Sequence, residues 1–275
     1  MKIYLAGLNG RRWITEDHMR IYLAGQWPWR SGGIYDAAIQ KHGVYVLDSF
    51  FYMDDLARKQ IPFFKDFMLD SGAFTFFNGS QNAEKTKSTK WEEYVDRYAD
   101  FIKTSGIQKF FELDIDEIIG YENVKRLRRR LEEKTGTQCI PVWHLPRGRD
   151  EFYRMCDEYK YVAIGTTNVN DEGRRIKSAN VLDWFIATAH RNKCKIHGLG
   201  YTNLTGLTRH KFDSVDSTSW TSGNRFGHIF LFNGKTMIKV KKKSNQKIAR
   251  HKAKEAALHN FTEWVKFQRY AEAAL

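Results

Sequence analysis

Hydrophobic residues along this chain fall into short continuous runs, bounded by polar or glycine-containing segments. Runs of this kind are typical of strands in a parallel sheet that is covered on both faces. The pattern predicts eight strands: Lys2–Ala6, Val44–Ser49, Phe67–Ser71, Phe110–Ile115, Cys139–His144, Tyr161–Thr166, Lys195–Leu199 and Ser214–Ser219.

The segments between these strands carry apolar residues at helical spacing. In Trp91–Ile102 the apolar positions recur every three or four residues and form one stripe. Tyr121–Lys134 and Val181–His190 show the same spacing. Strands that alternate with helices in this way predict an α/β fold, namely a (β/α)8 TIM barrel. An open, doubly wound sheet is the competing architecture.

Polar residues fall at the carboxyl ends of the predicted strands instead of being scattered along them. Because barrel enzymes place their chemistry at these ends, the pattern favours the barrel. A buried carboxylate is costly unless it is paired or used, so we expect these residues to form one site. They are Asp70, Asp114, His144, Thr166, His197 and Asp216.

Additional segments are predicted to decorate the barrel. Residues 74–90 are polar and predict a loop over the site, while residues 229–240 predict two short strands around an Asn-Gly turn. An amphipathic helix is predicted over about residues 246–274. We therefore expect a barrel over residues 1–222, with a hairpin and basic helix over residues 223–275 packed on it, in a single domain overall.

The charge balance points to a polyanionic partner. The chain has 45 Lys and Arg against 32 Asp and Glu, a formal net charge of +13 and a pI of about 9.5. Nine basic residues and no acidic ones lie between Lys235 and Lys254. A balance of this size favours nucleic acid, and phosphate contacts are expected near the site. The expected phosphate-binding residues are Arg147, Arg149, Arg225, Lys241, Lys242 and Lys243.

The location and the metal chemistry are constrained by what the sequence lacks. No apolar stretch approaches the length of a membrane span, and Met1–Gly7 lacks the features of a signal peptide, so a cytoplasmic protein is expected. The three cysteines are Cys139, Cys156 and Cys194; they are too widely spaced for a disulfide framework or a paired-cysteine zinc site. No metal and no cofactor are predicted.

Two of the strand-end carboxylates suit chemistry at a sugar anomeric carbon. Asp216 lies among hydroxyl residues, which can donate hydrogen bonds to an ionised nucleophile. Asp70 is followed by Gly72, which permits a tight turn and the close approach of a flat ligand, and Phe74 is placed to stack on that ligand. One carboxylate can attack the anomeric carbon while the other handles the proton of the leaving group.

Short motifs in this chain resemble those of one enzyme family. Asp70-Ser-Gly-Ala-Phe74 is similar to the Asp-Ser-Gly-Gly-Phe/Tyr motif of tRNA-guanine transglycosylases, and Asp216-Ser-Thr-Ser-Trp220 to Asp-Ser-Ala-Ser-Tyr of the archaeal members. Leu113-Asp-Ile115 resembles the base-recognition strand. Ala163-Ile-Gly-Thr166 resembles Ala-Ile-Gly-Gly, and Ile196-His-Gly-Leu-Gly200 resembles Leu-Met-Gly-Val-Gly. The motifs occur in the family's order over residues 67–220.

This resemblance implies a TIM barrel that exchanges guanine for a free 7-deazaguanine base through a covalent glycosyl–enzyme intermediate. By position, Asp216 would be the nucleophile and Asp70 the general acid and base. The residues implied to bind the base are Ser71, Phe74, Asp114, His144, Gly165, Thr166 and His197. The nucleophile could instead be Asp213, because Phe212-Asp-Ser-Val215 resembles the bacterial Phe-Asp-Cys-Val form.

Departures from the family pattern favour one branch of it. His144 stands where the family has Gln, Thr166 stands where it has Gly, and the family's zinc site near the C-terminus is missing. This pattern resembles the shorter, phage-encoded relatives that insert 7-deazaguanines into DNA. The implied partner is therefore DNA, and the implied location is the host cytoplasm if the chain is phage-encoded.

Several competing functions stay open at this point. The chain could be a tRNA-guanine transglycosylase or an accessory subunit of one, with tRNA as its partner. It could also be a non-catalytic barrel that binds nucleic acid. Lys2–Gly7 resembles the opening of the nucleoside 2-deoxyribosyltransferases, an α/β family that also uses a carboxylate on the anomeric carbon.

Overall fold

The structure is a computed structural model. It describes residues 19–25, 43–72, 89–165, 179–201, 204–207, 209–221, 228–240 and 250–275. Within these ranges, only the backbone is described for residues 179–180, 204–205 and 250–254.

A curled parallel sheet of seven strands forms the centre of the described fold. Its strands are β1 (Arg20–Ala24), β2 (Tyr45–Ser49), β3 (Asp66–Asp70), β4 (Val142–Trp143), β5 (Tyr161–Gly165), β6 (Lys195–Leu199) and β7 (Ser214–Ser217). They lie in the order β3-β2-β1-β7-β6-β5-β4, and all neighbours are parallel. The carboxyl ends of all seven strands therefore point the same way, which brings distant parts of the chain to one end of the sheet.

Both edges of this sheet bond to the same short segment. Phe111 donates its backbone N–H to the carbonyl of Leu69 in β3 at 2.9 Å, and Glu112 donates to the carbonyl of Ile140, two residues before β4, at 3.1 Å. The corresponding bridges are parallel. The predicted strand Phe110–Ile115 is thus present only as two bridged residues, and the predicted strand Cys139–His144 shortens to Val142–Trp143.

Two separate hydrophobic clusters confirm that the sheet is covered on both faces. The larger cluster lies between the sheet and the helices. The smaller one lies inside the curl of the sheet, where alternate residues of each strand point. Its buried members are Tyr22, Ala24, Tyr45, Leu47, Met68, Phe111, Ile140, Val142 and Ala163.

The first strand of the sheet was not predicted. Met19–Gly25 repeats Met1–Gly7 with a single change, Arg20 for Lys2. The strand prediction covers only the first copy. The second copy forms β1, between β2 and β7, while Lys2–Ala6 lies outside the described residues.

Helices follow most of the strands. They are α1 (Asp55–Gln60), α2 (Trp91–Ser105), α3 (Asp116–Ile119), α4 (Tyr121–Thr135), α5 (Gly148–Glu158), α6 (Ala179–Arg191), α7 (Leu204–Leu207) and α8 (Arg250–Ala274). The three helices predicted by apolar spacing are confirmed as α2, α4 and α6. Among the described residues, no helix combines the length and the apolar character that crossing a membrane requires.

The C-terminal segment is an integral part of the fold. The predicted hairpin is confirmed as two antiparallel strands, β8 (Ile229–Phe232) and β9 (Met237–Val240). Helix α8 packs on both the hairpin and the sheet. Its Gln268 side chain donates to the carbonyl of Tyr45 at 3.0 Å, and its Asn260 accepts from the backbone of Phe230 at 2.9 Å. The inner face of α8 is therefore buried, so this helix is part of the core as well as a carrier of charge.

Candidate active site at the carboxyl ends of the strands

Three carboxylates meet at the carboxyl end of the sheet. Asp70 is the last residue of β3, Asp216 lies in β7, and Asp114 follows the bridged segment 110–111. Asp114 and Asp216 are both close enough to act on the pKa of Asp70. The sequence-based expectation that these acids share one site is therefore met in the structure.

Asp70 is the acid whose environment is most unusual. Burial raises the pKa of Asp70 to about 8, and the nearby carboxylates of Asp114 and Asp216 add to the rise, while the backbone amides of Ser71 and Gly72 oppose it. Asp70 is therefore a protonated carboxylic acid at neutral pH. A group in this state can donate a proton to a leaving group.

Asp216 has the opposite kind of environment. Its Oδ1 accepts from the backbone N–H of Gly200 at 2.6 Å and lies 3.2 Å from Nε2 of His197. Oδ2 has no hydrogen-bond partner among the described residues. The carboxylate is thus fixed through one oxygen while the other stays available, which is the arrangement a nucleophile needs.

The donors to Asp216 differ from those that the sequence suggested. The sequence pattern predicts that the neighbouring hydroxyls of residues 217–219 donate to the carboxylate. In the structure, Ser217 Oγ instead accepts from the backbone N–H of Ser219 at 3.1 Å. The donors come from β6 and the residue that follows it, because parallel pairing sets these beside β7.

The structure separates the two candidate nucleophiles. Asp213 precedes β7 and accepts from the backbone of Ile196 at 2.8 Å and from His190 of α6 at 3.0 Å. It therefore faces the helix layer near the amino end of the strand. Asp216 lies three residues further along, on the inner face and at the end that Asp70 occupies.

Asp114 and His144 form a polar pair beside these acids. Nε2 of His144 lies 3.2 Å from Oδ2 of Asp114, and their side chains are 17% and 16% exposed. A Cβ atom on Gly165 would lie 2.5 Å from the imidazole of His144, so Gly165 is needed to make room for this ring. The ring therefore covers the Cα of Gly165, where the sequence analysis had expected backbone contact with the base.

The turn after β3 holds Asp70 in place. Ser71 is fully buried, and its carbonyl accepts from the hydroxyl of Tyr94 at 2.7 Å. Gly72 has φ +82°, and a Cβ atom there would lie 2.5 Å from Cβ of Phe51 and 2.8 Å from Oγ of Ser49. The glycine of the Asp-Ser-Gly motif is therefore required by the neighbouring loop, whatever ligand is bound.

Two predicted contact residues have other partners in the structure. His197 lies in the middle of β6 and is fully buried below Asp216, so any influence it has on a substrate acts through that carboxylate. The Arg147 side chain is 1% exposed and pairs with both Glu112 and Asp116 at 2.7 Å. Its predicted role in gripping phosphate does not fit this burial, because both acids already occupy the guanidinium.

Glu112 is a buried acid that the sequence analysis did not single out. It bonds Arg128 at 2.6 Å as well as Arg147, and it accepts from the backbone of Val142 at 2.7 Å. Burial opposes ionisation, yet the two guanidinium groups lower the pKa of Glu112 below its usual value. The available signal was the acid within the apolar run Phe110–Ile115.

The other predicted contact residues are less constrained. Arg149 is exposed, with its guanidinium 4.8 Å from the centre of the Trp184 ring, and its phosphate contact stays a prediction. The remaining candidates lie outside the described residues: Phe74, Thr166, Arg225, Lys241, Lys242 and Lys243. Within the part of the chain that the structure describes, no group of three or more His, Cys, Asp or Glu side chains could hold a metal ion.

Comparisons with known proteins support the fold class. No family model and no curated protein matches this chain. Among solved structures, an aldolase called QR15 is 14% identical, with a TM-score of 0.50 over 75% of this chain and 93% of the aldolase. A protein assigned as a fructose-1,6-biphosphate aldolase from Coccidioides immitis is 13% identical, with a TM-score of 0.51 over 94% of this chain and 89% of its own. At such identities the likeness concerns the fold alone, and it agrees with an α/β fold that is built on a curled parallel sheet.

Proposed function

We propose that this chain exchanges guanine in DNA for a 7-deazaguanine base through a covalent bond between Asp216 and the sugar. The observation that carries the proposal is the pairing of two acids in different environments. Asp70 is held in its protonated form, while Asp216 is fixed through one oxygen and has the other available. Displacement at an anomeric carbon needs this division of roles.

The proposed fold is a complete (β/α)8 barrel. Segment 110–111 would be its fourth strand, since it bridges β3 on one side and Ile140, two residues before β4, on the other. Together with the seven strands of the sheet, this makes eight. The proposed site then lies where barrel enzymes hold their chemistry.

The proposed reaction has two half-reactions. In the first, Oδ2 of Asp216 bonds to the anomeric carbon, the glycosidic bond breaks, and the leaving guanine takes the proton of Asp70. In the second, the incoming base returns a proton to Asp70, its nitrogen bonds to the anomeric carbon, and the ester to Asp216 breaks. Atoms and charge balance over the cycle, so no cofactor is consumed.

Asp114 and His144 would read the base. A carboxylate accepts the hydrogen bonds that guanine donates from its amide nitrogen and its amino group, and a 7-deazaguanine keeps both donors. His144 would fix the orientation of Asp114 through their 3.2 Å contact. Both side chains are partly exposed, in keeping with contact to a ligand.

The nucleic acid is proposed from charge. A net charge of +13 favours a polyanionic partner. A base inside a duplex cannot reach acids buried at the end of a sheet, so the target nucleotide would have to leave the stack, at a cost of a few kcal/mol. Exposed Arg149 would contribute to holding the phosphates.

Incorporation of labelled guanine into guanine-containing duplex DNA tests the proposal. We expect time-dependent incorporation by the unmodified chain and none by Asp216→Asn. Asp213→Asn is the matched control, because it changes an acid three residues away in a buried but separate hydrogen-bond set. Retained exchange in Asp216→Asn, together with loss in Asp213→Asn, would overturn the choice of nucleophile.

The same assay separates the competing functions. Faster labelling of tRNA than of DNA would favour the tRNA enzyme. Salt-sensitive DNA binding without labelling, unchanged by substitution of Asp70 or Asp216, would favour a non-catalytic barrel. Mass spectrometry of nucleosides from the DNA of expressing cells would identify the inserted base.

A further inference from the structure

A row of hydrogen-bonded side chains runs inside the sheet towards Asp216. The hydroxyl of Tyr161 lies 2.5 Å from Oγ of Ser214, and this Oγ lies 2.5 Å from Nδ1 of His197. Nε2 of His197 in turn lies 3.2 Å from Oδ1 of Asp216. The row connects three strands, because Tyr161 is on β5, His197 on β6 and the other two residues on β7.

The donor and acceptor groups of these side chains indicate a common direction for the hydrogen bonds in the row. An ionised carboxylate only accepts, so Nε2 of His197 must carry the hydrogen. A neutral imidazole has one N–H, which leaves Nδ1 as an acceptor for the hydroxyl of Ser214. Ser214 Oγ can then accept from Tyr161. With this tautomer, every donor in the row would point towards Asp216.

Aromatic rings surround His197 and separate its side chain from solvent. Its side chain is fully buried, with the ring of Phe111 at 5.3 Å and that of Tyr22 at 6.2 Å between centroids.

We infer that His197 is a positioning residue for the nucleophile. With the amide of Gly200 it fixes Oδ1 of Asp216, so that Oδ2 faces the anomeric carbon. The inference rests on the proposed function, since it assumes that Asp216 attacks the sugar. It replaces the predicted contact of His197 with the base, because a fully buried ring below the carboxylate does not reach a ligand.

Three substitutions at position 197 test this role. His197→Gln can keep an N–H near the position of Nε2, His197→Asn keeps one only near Nδ1, and His197→Met has none. We expect kcat for guanine exchange to fall about 100-fold in the Met and Asn variants, because a misplaced reacting group costs about that factor. The KM for the base should stay within about twofold, and the Gln variant should recover much of kcat.

A control and a second position complete the kinetic test. His190→Gln changes a half-exposed histidine outside this site and should leave kcat unchanged. Ser214→Ala removes the donor to Nδ1 and should lower kcat less than His197→Met does. A rise in KM for the base with kcat unchanged in His197→Met would overturn the positioning role and restore the base contact.

Nitrogen-15 NMR of labelled histidine shows which ring nitrogen of His197 carries hydrogen. This measurement does not depend on guanine exchange. We expect the neutral tautomer with hydrogen on Nε2, and a shift of the His197 signals in Ser214→Ala. A tautomer with hydrogen on Nδ1 would overturn the inference, even if all variants were active. If the unmodified chain exchanged no guanine, the proposed function would fail while the NMR result still decided whether His197 donates to Asp216.

Discussion

The two ends of the sheet hold acidic residues in opposite ways. At the amino end, Asp66 accepts from the hydroxyl of Tyr22 at 2.7 Å and pairs with Lys109 and, at 3.5 Å, with Arg20. At the carboxyl end, Asp70, Asp114 and Asp216 face one another. Their contacts among the described residues are with histidines and backbone amides.

The acid at the amino end is arranged to stabilise the fold, while the acids at the carboxyl end are arranged as the proposed reaction requires. A compensated acid such as Asp66 contributes to folding, because removing it would leave partners unpaired. Clustered acids without a basic partner raise the free energy of the folded state. If the proposed reaction uses this cluster, substitutions at the two ends should have opposite effects on stability and activity.

The largest effect is expected at Asp216. Asp216→Asn should lower the rate of guanine exchange by about 10⁴-fold or more, as for the removal of other catalytic nucleophiles. The free energy of unfolding should stay equal or rise, because the substitution removes a carboxylate that repels Asp114 and disfavours ionisation of Asp70. Parallel exchange assays and urea unfolding would check both; a destabilised and active variant would contradict the comparison.

The effect of Asp70 on the free energy of unfolding should depend on pH. Its folded pKa of about 8 lies above the unfolded value of about 3.9, so its stabilising contribution is complete below pH 4 and is lost as pH rises to about 8. Asp70→Asn should therefore be more stable than the unmodified chain at pH 8, by up to about 5 kcal/mol, and equal to it near pH 4.

Exchange should depend on the same proton. Since the first half-reaction consumes the proton of Asp70, the rate in the unmodified chain should fall as pH rises above about 8. Asp70→Asn should be inactive over the whole range. A stability curve of the variant that runs parallel to that of the unmodified chain from pH 4 to 8 would show that Asp70 is an ordinary carboxylate.

Much of the sheet could be predicted from the sequence, because buried parallel strands are continuous apolar runs. Lys195–Leu199 has the same limits in the prediction and in the structure, and most other strands differ by one or two residues. The strand β1 was missed because a nearly identical heptapeptide precedes it. The apolar pattern alone does not distinguish these two segments, because they differ only by Lys2 and Arg20.

The site could be predicted only in part, for a physical reason. Position at the carboxyl end of a strand identified Asp70, Asp114 and Asp216, since parallel strands bring those ends together. The partners of a side chain depend on neighbouring strands and helices, which no local motif contains. Arg147 could therefore not be distinguished from a surface arginine, and the donors to Asp216 were assigned to its own segment.

Glu112 tests whether pairing with basic side chains, and not position along the sheet, determines how an acid affects the stability of the fold. It lies two residues before Asp114 but pairs with Arg128 and Arg147. Glu112→Ala would leave two buried guanidinium groups without this partner, so we expect a loss of about 3–5 kcal/mol in the free energy of unfolding. Because its folded pKa is lowered, this stabilisation is present above pH about 4.3 and is lost as pH falls further.

Urea unfolding at pH 7 would measure this loss. Glu112→Gln is the matched control: it keeps an acceptor for the backbone of Val142 while removing the charge, and it should fall between the Ala variant and the unmodified chain. If Glu112→Ala were as stable as the unmodified chain, the ion pair between Glu112 and Arg128 of α4 would not stabilise the fold.

The smallest effect is expected at Asp66, at the amino end. Its side chain is 20% exposed, so solvent screens its pairs with Arg20 and Lys109. Asp66→Ala should lower the free energy of unfolding by about 1–2 kcal/mol, mainly because Tyr22 loses a hydrogen-bond acceptor. Exposed Asp157 on α5 is the control, and Asp157→Ala should change stability by less than about 0.5 kcal/mol. Guanine exchange per folded molecule should be unchanged in both, because neither acid touches the carboxyl-end site; a loss of exchange in Asp66→Ala would mean that the two ends of the sheet are coupled.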